Sequence, residues 1–166
     1  MPEKETLERA REDKREGKAP STQAGEFVKE EMDHIREGKH GARSTKQAIA
    51  IGLSKARRAG VKLPPPKKGS ARTRAQAKRD YSKGQSGSRK TSAKRSQATE
   101  RALKREGRSA ASHASLSRQA RSAARKRSSS SRHQAAMKAV RTKGASGRSR
   151  AAKKAARTRS AHRKAA

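Results

Sequence analysis

The chain has 166 residues, enough for one ordinary domain, yet hydrophobic residues make up 28% of it and aromatics 1%. It carries 47 Lys+Arg against 14 Asp+Glu, a formal charge of +33, and no cysteine. This excludes disulfides and Cys-based metal sites, and it leaves too little apolar surface for a core running the length of the chain.

The charge is unevenly divided. Residues 1–66 hold 15 Lys+Arg against 11 acids, whereas residues 67–166 hold 32 against three, Asp80, Glu100 and Glu106. The second part is therefore +29. Self-repulsion opposes collapse of such a tract unless a polyanion neutralises it, and nucleic acid is the commonest polyanion in a cell.

In chain order, residues 3–16 are dense in helix formers, with favourable pairs such as Glu5–Arg9 and Glu12–Arg15, and Leu7 as the one sizeable apolar group. A solvated helix ending at Gly17 is expected. Residues 20–63 are the part best able to fold, as a small α-helical hairpin module. Ser21 or Thr22 can cap a helix running to about Glu37, with Gly38 as its stop. Ala24, Phe27, Val28, Met32 and Ile35 share one face of that helix, and Glu26, Glu30, Asp33 and Glu37 lie opposite, as a solvated surface that pairs with the chain's own basic residues.

After a basic turn, Ser44-Thr45-Lys46-Gln47 reads as a capping box. The helix it opens places Ala48, Ile49, Gly52, Leu53, Ala56 and Ala59 on one arc, with Lys55, Arg57 and Arg58 outside it. Gly60 closes the helix, and Pro64-Pro65-Pro66 begins a linker over 64–69. Ile51 falls outside the arc, to be covered by the first helix, a second copy or a partner.

Residues 70–166 read as a low-complexity tail. In 67–166 Ala (23), Ser (18) and Lys+Arg (32) supply 73 of 100 positions, and Tyr81, Leu103, Leu116, Met137 and Val140 are the only larger apolar residues. Five such groups do not offset an ordering cost of roughly 1–2 kcal/mol per residue. The expected fold class is mostly α with extensive disorder: a helical hairpin and a long basic tail with weak or conditional helices, near 93–106, 110–127, 133–142 and 148–165, and no β-sheet. Breaks are expected at 84–87, Gly107, 128–131 and 144–147.

Residues 20–68, with the words GEFVKEEM and REGKHGARSTKQAIAIGLSKARRAG before the proline run, resemble the module of a family of small, basic bacterial proteins of unknown function. The resemblance carries no activity; its basic tails imply association with DNA. The segment AAKKAARTR at 151–159 is similar to the Lys/Ala-rich arms of histone H1-like bacterial nucleoid proteins, although this tail is richer in Ser and Arg.

No catalytic constellation is visible. The five histidines, His34, His40, His113, His133 and His162, form no HExxH and are read as solvated, so no metal, cofactor or small-molecule substrate is expected and the chain is not expected to be an enzyme. No serine sits in a G-x-S-x-G elbow, and the glycines form no phosphate-binding loop. The N-terminus lacks the apolar run of a signal peptide, and no stretch nears the ~20 apolar residues of a membrane span. A cytoplasmic, nucleoid-associated protein without a membrane partner is expected.

The expected function is non-specific, architectural DNA binding through phosphate contacts. The expected contact residues are Lys67, Lys68, Arg72, Arg74, Lys78, Arg79, Arg89, Lys90, Lys94, Arg95, Arg118, Arg121, Arg125, Lys126, Arg127, Arg148, Arg150, Lys153, Lys154, Arg157, Arg159, Arg163 and Lys164. Arg43, Lys46, Lys55, Arg57 and Arg58 form a secondary set, in case the 44–60 helix reads DNA. Neutralising 29 net charges would take roughly 50 Å of duplex, about 15 base pairs. With only Phe27 and Tyr81 for base stacking, duplex DNA is favoured over single strands, and structured RNA stays open. The alternative is an adaptor whose 20–63 module docks a protein partner, or dimerises, while the tail tethers it to DNA or RNA.

Overall fold

Three glycines in the left-handed region, Gly17, Gly38 and Gly60 with φ of 71°, 80° and 93°, end the first three helices where a side chain would strain the turn. The computed structural model describes residues 2–86 and 92–164, and among these the regular structure is helical with no strand. The chain forms two units, Met1–Gln119 and Ala120–Ala166.

The first unit is built around α2 (Pro20–Glu37) and α3 (Thr45–Arg58). α3 starts with the forward half of the expected capping box: Ser44 Oγ accepts from the Gln47 N–H at 3.2 Å, while Gln47 Oε1 accepts at 2.9 Å from the N–H of Arg43, one residue before the N-cap. α2 starts differently from expectation. Neither Ser21 nor Thr22 caps it; Ala19 is the N-cap and Pro20 occupies the first turn, where its fixed φ and missing N–H suit the helix without a side-chain acceptor.

α2 and α3 cross with almost no space between their backbones. A Cβ on Gly52 would lie 2.7 Å from Val28 Cα and 3.0 Å from the Phe27 carbonyl oxygen. Ala48, Gly52 and Ala56 line the buried side of α3. At one end of the pair Phe27, Ala24, Ala56 and Val61 pack with Ala10, Leu7, Leu53 and Leu63. At the other, Met32, Ile35, Ala42 and Ala48 pack with Ala110, Ala111 and Leu116.

Helix α1 (Lys4–Arg15) is therefore not solvated: it packs against α2, burying Thr6, Ala10 and Asp13. Arg9 Nε donates to Glu26 at 2.8 Å, and Lys18 Nζ to Asp13 at 2.7 Å. Hydrogen bonds from His34 and Lys39 hold the Glu3 carboxyl down at about 2. With α1 and α3 both against α2, Glu30 and Glu31 become buried rather than solvated, while Asp33 and Glu37 stay on the surface beside Arg36 and Lys39.

The basic tract is more structured than its composition implies. Helix α4 (Ala71–Gln85) was not expected; it lies on α3, burying Ala77 and Asp80. Ser54 Oγ donates to Asp80 at 2.7 Å, and Gln76 Nε2 at 3.1 Å. Gly84 lets α4 meet the end of α3, since a Cβ there would overlap the Arg57 carbonyl. Helix α5 (Ala93–Lys104) buries no residue, but its C-terminal exit pairs with the α2–α3 turn, where Gly41 N–H donates to the Leu103 carbonyl at 2.9 Å and Ala42 N–H to the Gly107 carbonyl at 3.1 Å. A short 3-10 turn, Ser109–Ala111, then seals the second cluster: Thr45 Oγ1 donates to the Ala110 carbonyl and Arg36 Nε to the Ala111 carbonyl. Helix α6 (His113–Arg125) begins in this unit with Leu116.

The second unit is dominated by α7 (Ser129–Lys164), interrupted at Gly144, where φ 62° and ψ −179° are not helical. The expected break at 128–131 falls instead on the start of this helix, where Ser128 Oγ accepts from the Ser131 N–H. Apart from Val140 and Gly147, the side-chain positions described along α7 are exposed. Among the described residues no helix is long and apolar enough to cross a membrane.

Gly52→Ala is expected to cost ~1–3 kcal/mol through the forced separation of α2 and α3. Gly25→Ala, on an open face of α2 with nothing within 4 Å, is expected to gain ~0.5–1 kcal/mol. Urea unfolding midpoints of both variants check the contrast.

Candidate nucleic-acid interface

Packing divides the Lys and Arg residues into those used inside the fold and those turned outward. On α4, the Ala77, Asp80 and Gly84 positions face α3, so the remaining positions are free. Arg72, Arg74, Lys78 and Arg79 are exposed, as are Lys67 and Lys68 ahead of the helix. Lys78, Arg79, Ser82 and Lys83 with Ala75 line an open groove along it. Lys94 and Arg95 are exposed on α5 and Arg118 on α6. The expected set omitted Arg101, Lys104, Arg105 and Arg108, which are equally exposed; their charge alone was the available signal.

In the second unit Arg121, Arg125, Lys126, Arg127, Arg148, Arg150, Lys153, Lys154, Arg157, Arg159 and Arg163 are all exposed. Residues 120–166 contain 16 Lys+Arg and no acid. Arg89, Lys90 and the side chain of Lys164 lie outside the described residues.

The secondary set splits. Arg43 and Lys46 are exposed at the start of α3. Lys55 faces inward, with Nζ 2.7 Å from Glu31 and 3.3 Å from Glu30. Arg57 is 7% exposed and donates to the carbonyls of Leu63, Leu53 and Pro64, tying the proline segment to α3. Burial pulls its guanidinium below the ordinary value, and Asp80 opposes that pull. Arg58 is exposed, with Nε 3.7 Å from Asp80. α3 therefore cannot present Lys55 and Arg57 to a phosphate without losing bonds inside the fold.

The three acids of the basic tract do little to shield it. Asp80 is buried under α4, Glu100 pairs with Lys104 at 2.8 Å on the same helix, and Glu106 is half-buried. Hydrogen bonding to Lys104 lowers the Glu100 carboxyl below its usual range.

The structure also assembles groups that the sequence left apart. Glu31 is fully buried, and His34 and His40 stand beside it with side chains only 12% and 14% exposed, so these two histidines are not solvated as expected. Their ligand atoms lie within 4.8 Å of one another. The turn through Gly38 brings His40 back over α2, a proximity that spacing along the chain does not reveal.

Residues 19–68 match the model of a family of unknown function, DUF6496. The matched stretch takes in α2, the turn, α3 and the proline segment. No curated protein and no solved structure matches the chain.

Arg57→Ala is expected to lower stability by ~1–3 kcal/mol, since the partly buried bonds to the Leu53, Leu63 and Pro64 carbonyls are lost, while duplex binding by the folded variant is unchanged. The combined change Arg72→Ala, Arg74→Ala, Lys78→Ala and Arg79→Ala is expected to do the reverse. Urea unfolding and a duplex-binding titration at one fixed salt concentration, run on both, check the division.

Proposed function

We propose that this protein binds duplex DNA without sequence preference, as an architectural, nucleoid-associated protein acting through phosphate contacts of its basic helices. The observation that carries the reading is the outward Lys/Arg side chains of the described residues of 67–166, against three acids of which Asp80 is buried, Glu100 paired and Glu106 half-buried. Such a surface gains affinity by releasing counterions condensed on DNA, and it reads charge rather than bases. Nothing in α3 favours base readout, because two of its basic residues serve the fold. The Lys/Ala-rich resemblance of 151–159 points the same way.

The helices of 120–166 have almost no packed face. Isolated helices of this kind are marginal in water, and neighbouring cations repel along them. In this reading the arm exchanges between disordered and helical states when free, and phosphates stabilise its helices by neutralising that repulsion. The hairpin with α1, α4 and the 110–116 segment supplies the folded body that carries the arm.

A duplex-DNA titration of the full chain and of residues 1–119 across a salt series tests the proposal. Affinity of the full chain is expected to fall steeply and linearly on logarithmic axes with salt, identically for unrelated duplexes. Removal of 120–166 is expected to flatten the slope by about 0.9 for each phosphate that the shorter chain leaves unneutralised. Strong discrimination between duplexes by 1–119 would sink the reading. Circular dichroism of the full chain at low salt is expected to gain helical signal on adding duplex; an unchanged spectrum would count against the conditional arm.

A further inference from the structure

We propose that Glu31, His34 and His40 form a binding site for one divalent transition-metal ion of the zinc class. Glu31 and His34 are three residues apart on α2 and so share a face. Gly38, with its φ of 80°, reverses the chain and returns His40 to that face. One ligand atom from each residue lies within 4.8 Å of the others. Ligand atoms about 2.1 Å from a tetrahedral ion are about 3.4 Å apart, so even the widest spacing closes with a shift of about 0.7 Å per atom.

The hydrogen bonds around the cluster prepare these groups for a cation. His40 Nδ1 lies 3.1 Å from the Gly41 carbonyl, which only accepts, so Nδ1 carries the proton. In the neutral ring its other nitrogen, Nε2, turns a lone pair toward Glu31 Oε1 at 3.4 Å. Two lone-pair atoms facing each other in an enclosed space are unfavourable unless a positive charge sits between them. His34 Nε2 lies 2.8 Å from Glu3 Oε1, so in the neutral ring Nε2 donates and Nδ1 is the nitrogen that would take an ion. A carboxylate or carbonyl on the far nitrogen is how metal-binding histidines are oriented.

Charge gives a second, independent reason. Glu30 and Glu31 are 4% and 0% exposed, and among the described residues Lys55 is the one ammonium paired with them. Its Nζ comes within 2.7 Å of Glu31 Oε2, yet among the described residues no group donates a hydrogen bond of sound geometry to either Glu31 oxygen. The distance marks an ion pair; the angle leaves the lone pairs unused. With the imidazoles neutral, as metal ligands are, one enclosed carboxylate exceeds the positive charge of Lys55, which is costly away from water. A bound cation on Oε1 removes that surplus while Lys55 keeps Oε2. Two imidazoles and one carboxylate suit Zn²⁺, Co²⁺ or Ni²⁺ rather than Mg²⁺ or Ca²⁺, which take oxygen ligands.

The ion would clamp the turn that Gly41 and Ala42 use to pair with Leu103 and Gly107. Metal would therefore strengthen the join between the hairpin and the start of the basic tract. The site stands apart from the DNA reading and does not depend on it.

The test is a Zn²⁺ titration of the metal-free full chain by competition with a chromophoric chelator, with Co²⁺ absorption as the report on coordination. One ion per chain is expected, with a tetrahedral Co²⁺ spectrum. His34→Gln and His40→Gln, which keep a polar side chain of similar size, are each expected to weaken binding at least ~10-fold while the helical spectrum is kept. The triple variant His113→Gln, His133→Gln, His162→Gln is expected to bind as the parent does. Zn²⁺ should raise the Tm of the parent and of the triple variant but not of His40→Gln, as linkage requires. Absence of stoichiometric binding, or parent-like affinity in either His34→Gln or His40→Gln, overturns the proposal.

Discussion

The close crossing of α2 and α3 at Gly52 is the constraint on which the rest of the first unit depends. With the backbones separated by less than a side chain, Phe27, Ile35, Ala48 and Ala56 become fully enclosed although few large apolar residues are available. Small residues replace bulk with proximity, and dispersion at short range supplies what side-chain area does not. The same crossing carries Lys55 to Glu30 and Glu31, so one helix pair holds both an ionic cluster and an apolar core.

That crossing leaves two open ends, and other segments of the chain close them. α1 closes one with Leu7 and Ala10, and the 110–116 segment closes the other with Ala110, Ala111 and Leu116. α4 adds a third layer, held by Asp80 rather than by apolar bulk. The hairpin is therefore the centre of a larger unit, and the covering it needs comes from segments on both sides of it.

The distribution of acids follows from this assembly. Glu3, Asp13, Glu26, Glu30, Glu31 and Asp80 are engaged in ion pairs and hydrogen bonds that hold elements together. Lys and Arg are in large excess, and only a few of them, such as Arg9, Lys55 and Arg57, have an inward role. Among the described residues most of the others are exposed. The interior thus consumes negative charge and leaves the surface more uniformly positive than the formal +33 conveys.

Helix ends were readable from residues that act locally: the glycines at 17, 38 and 60, the Ser44–Gln47 box, and the alternation of apolar positions on α2 and α3. Local geometry determines these, so spacing along the chain is enough. The charge asymmetry, and with it the candidate phosphate contacts, is likewise a property of composition. The docking of α1 and α4 was not readable, because Thr6, Asp13 and Asp80 are polar residues whose burial depends on partners supplied from elsewhere. Arg57 and Lys55 looked like surface cations for the same reason; only the positions of Leu63, Pro64 and Glu31 in space turn them inward. His34 and His40 carried no signal at all in a chain rich in polar residues. What the sequence determined by itself was helix, charge and the hairpin's apolar stripe, each written in nearest-neighbour chemistry. Tertiary structure decided which charges are enclosed and which distant groups meet, because burial and juxtaposition exist only once the helices have packed.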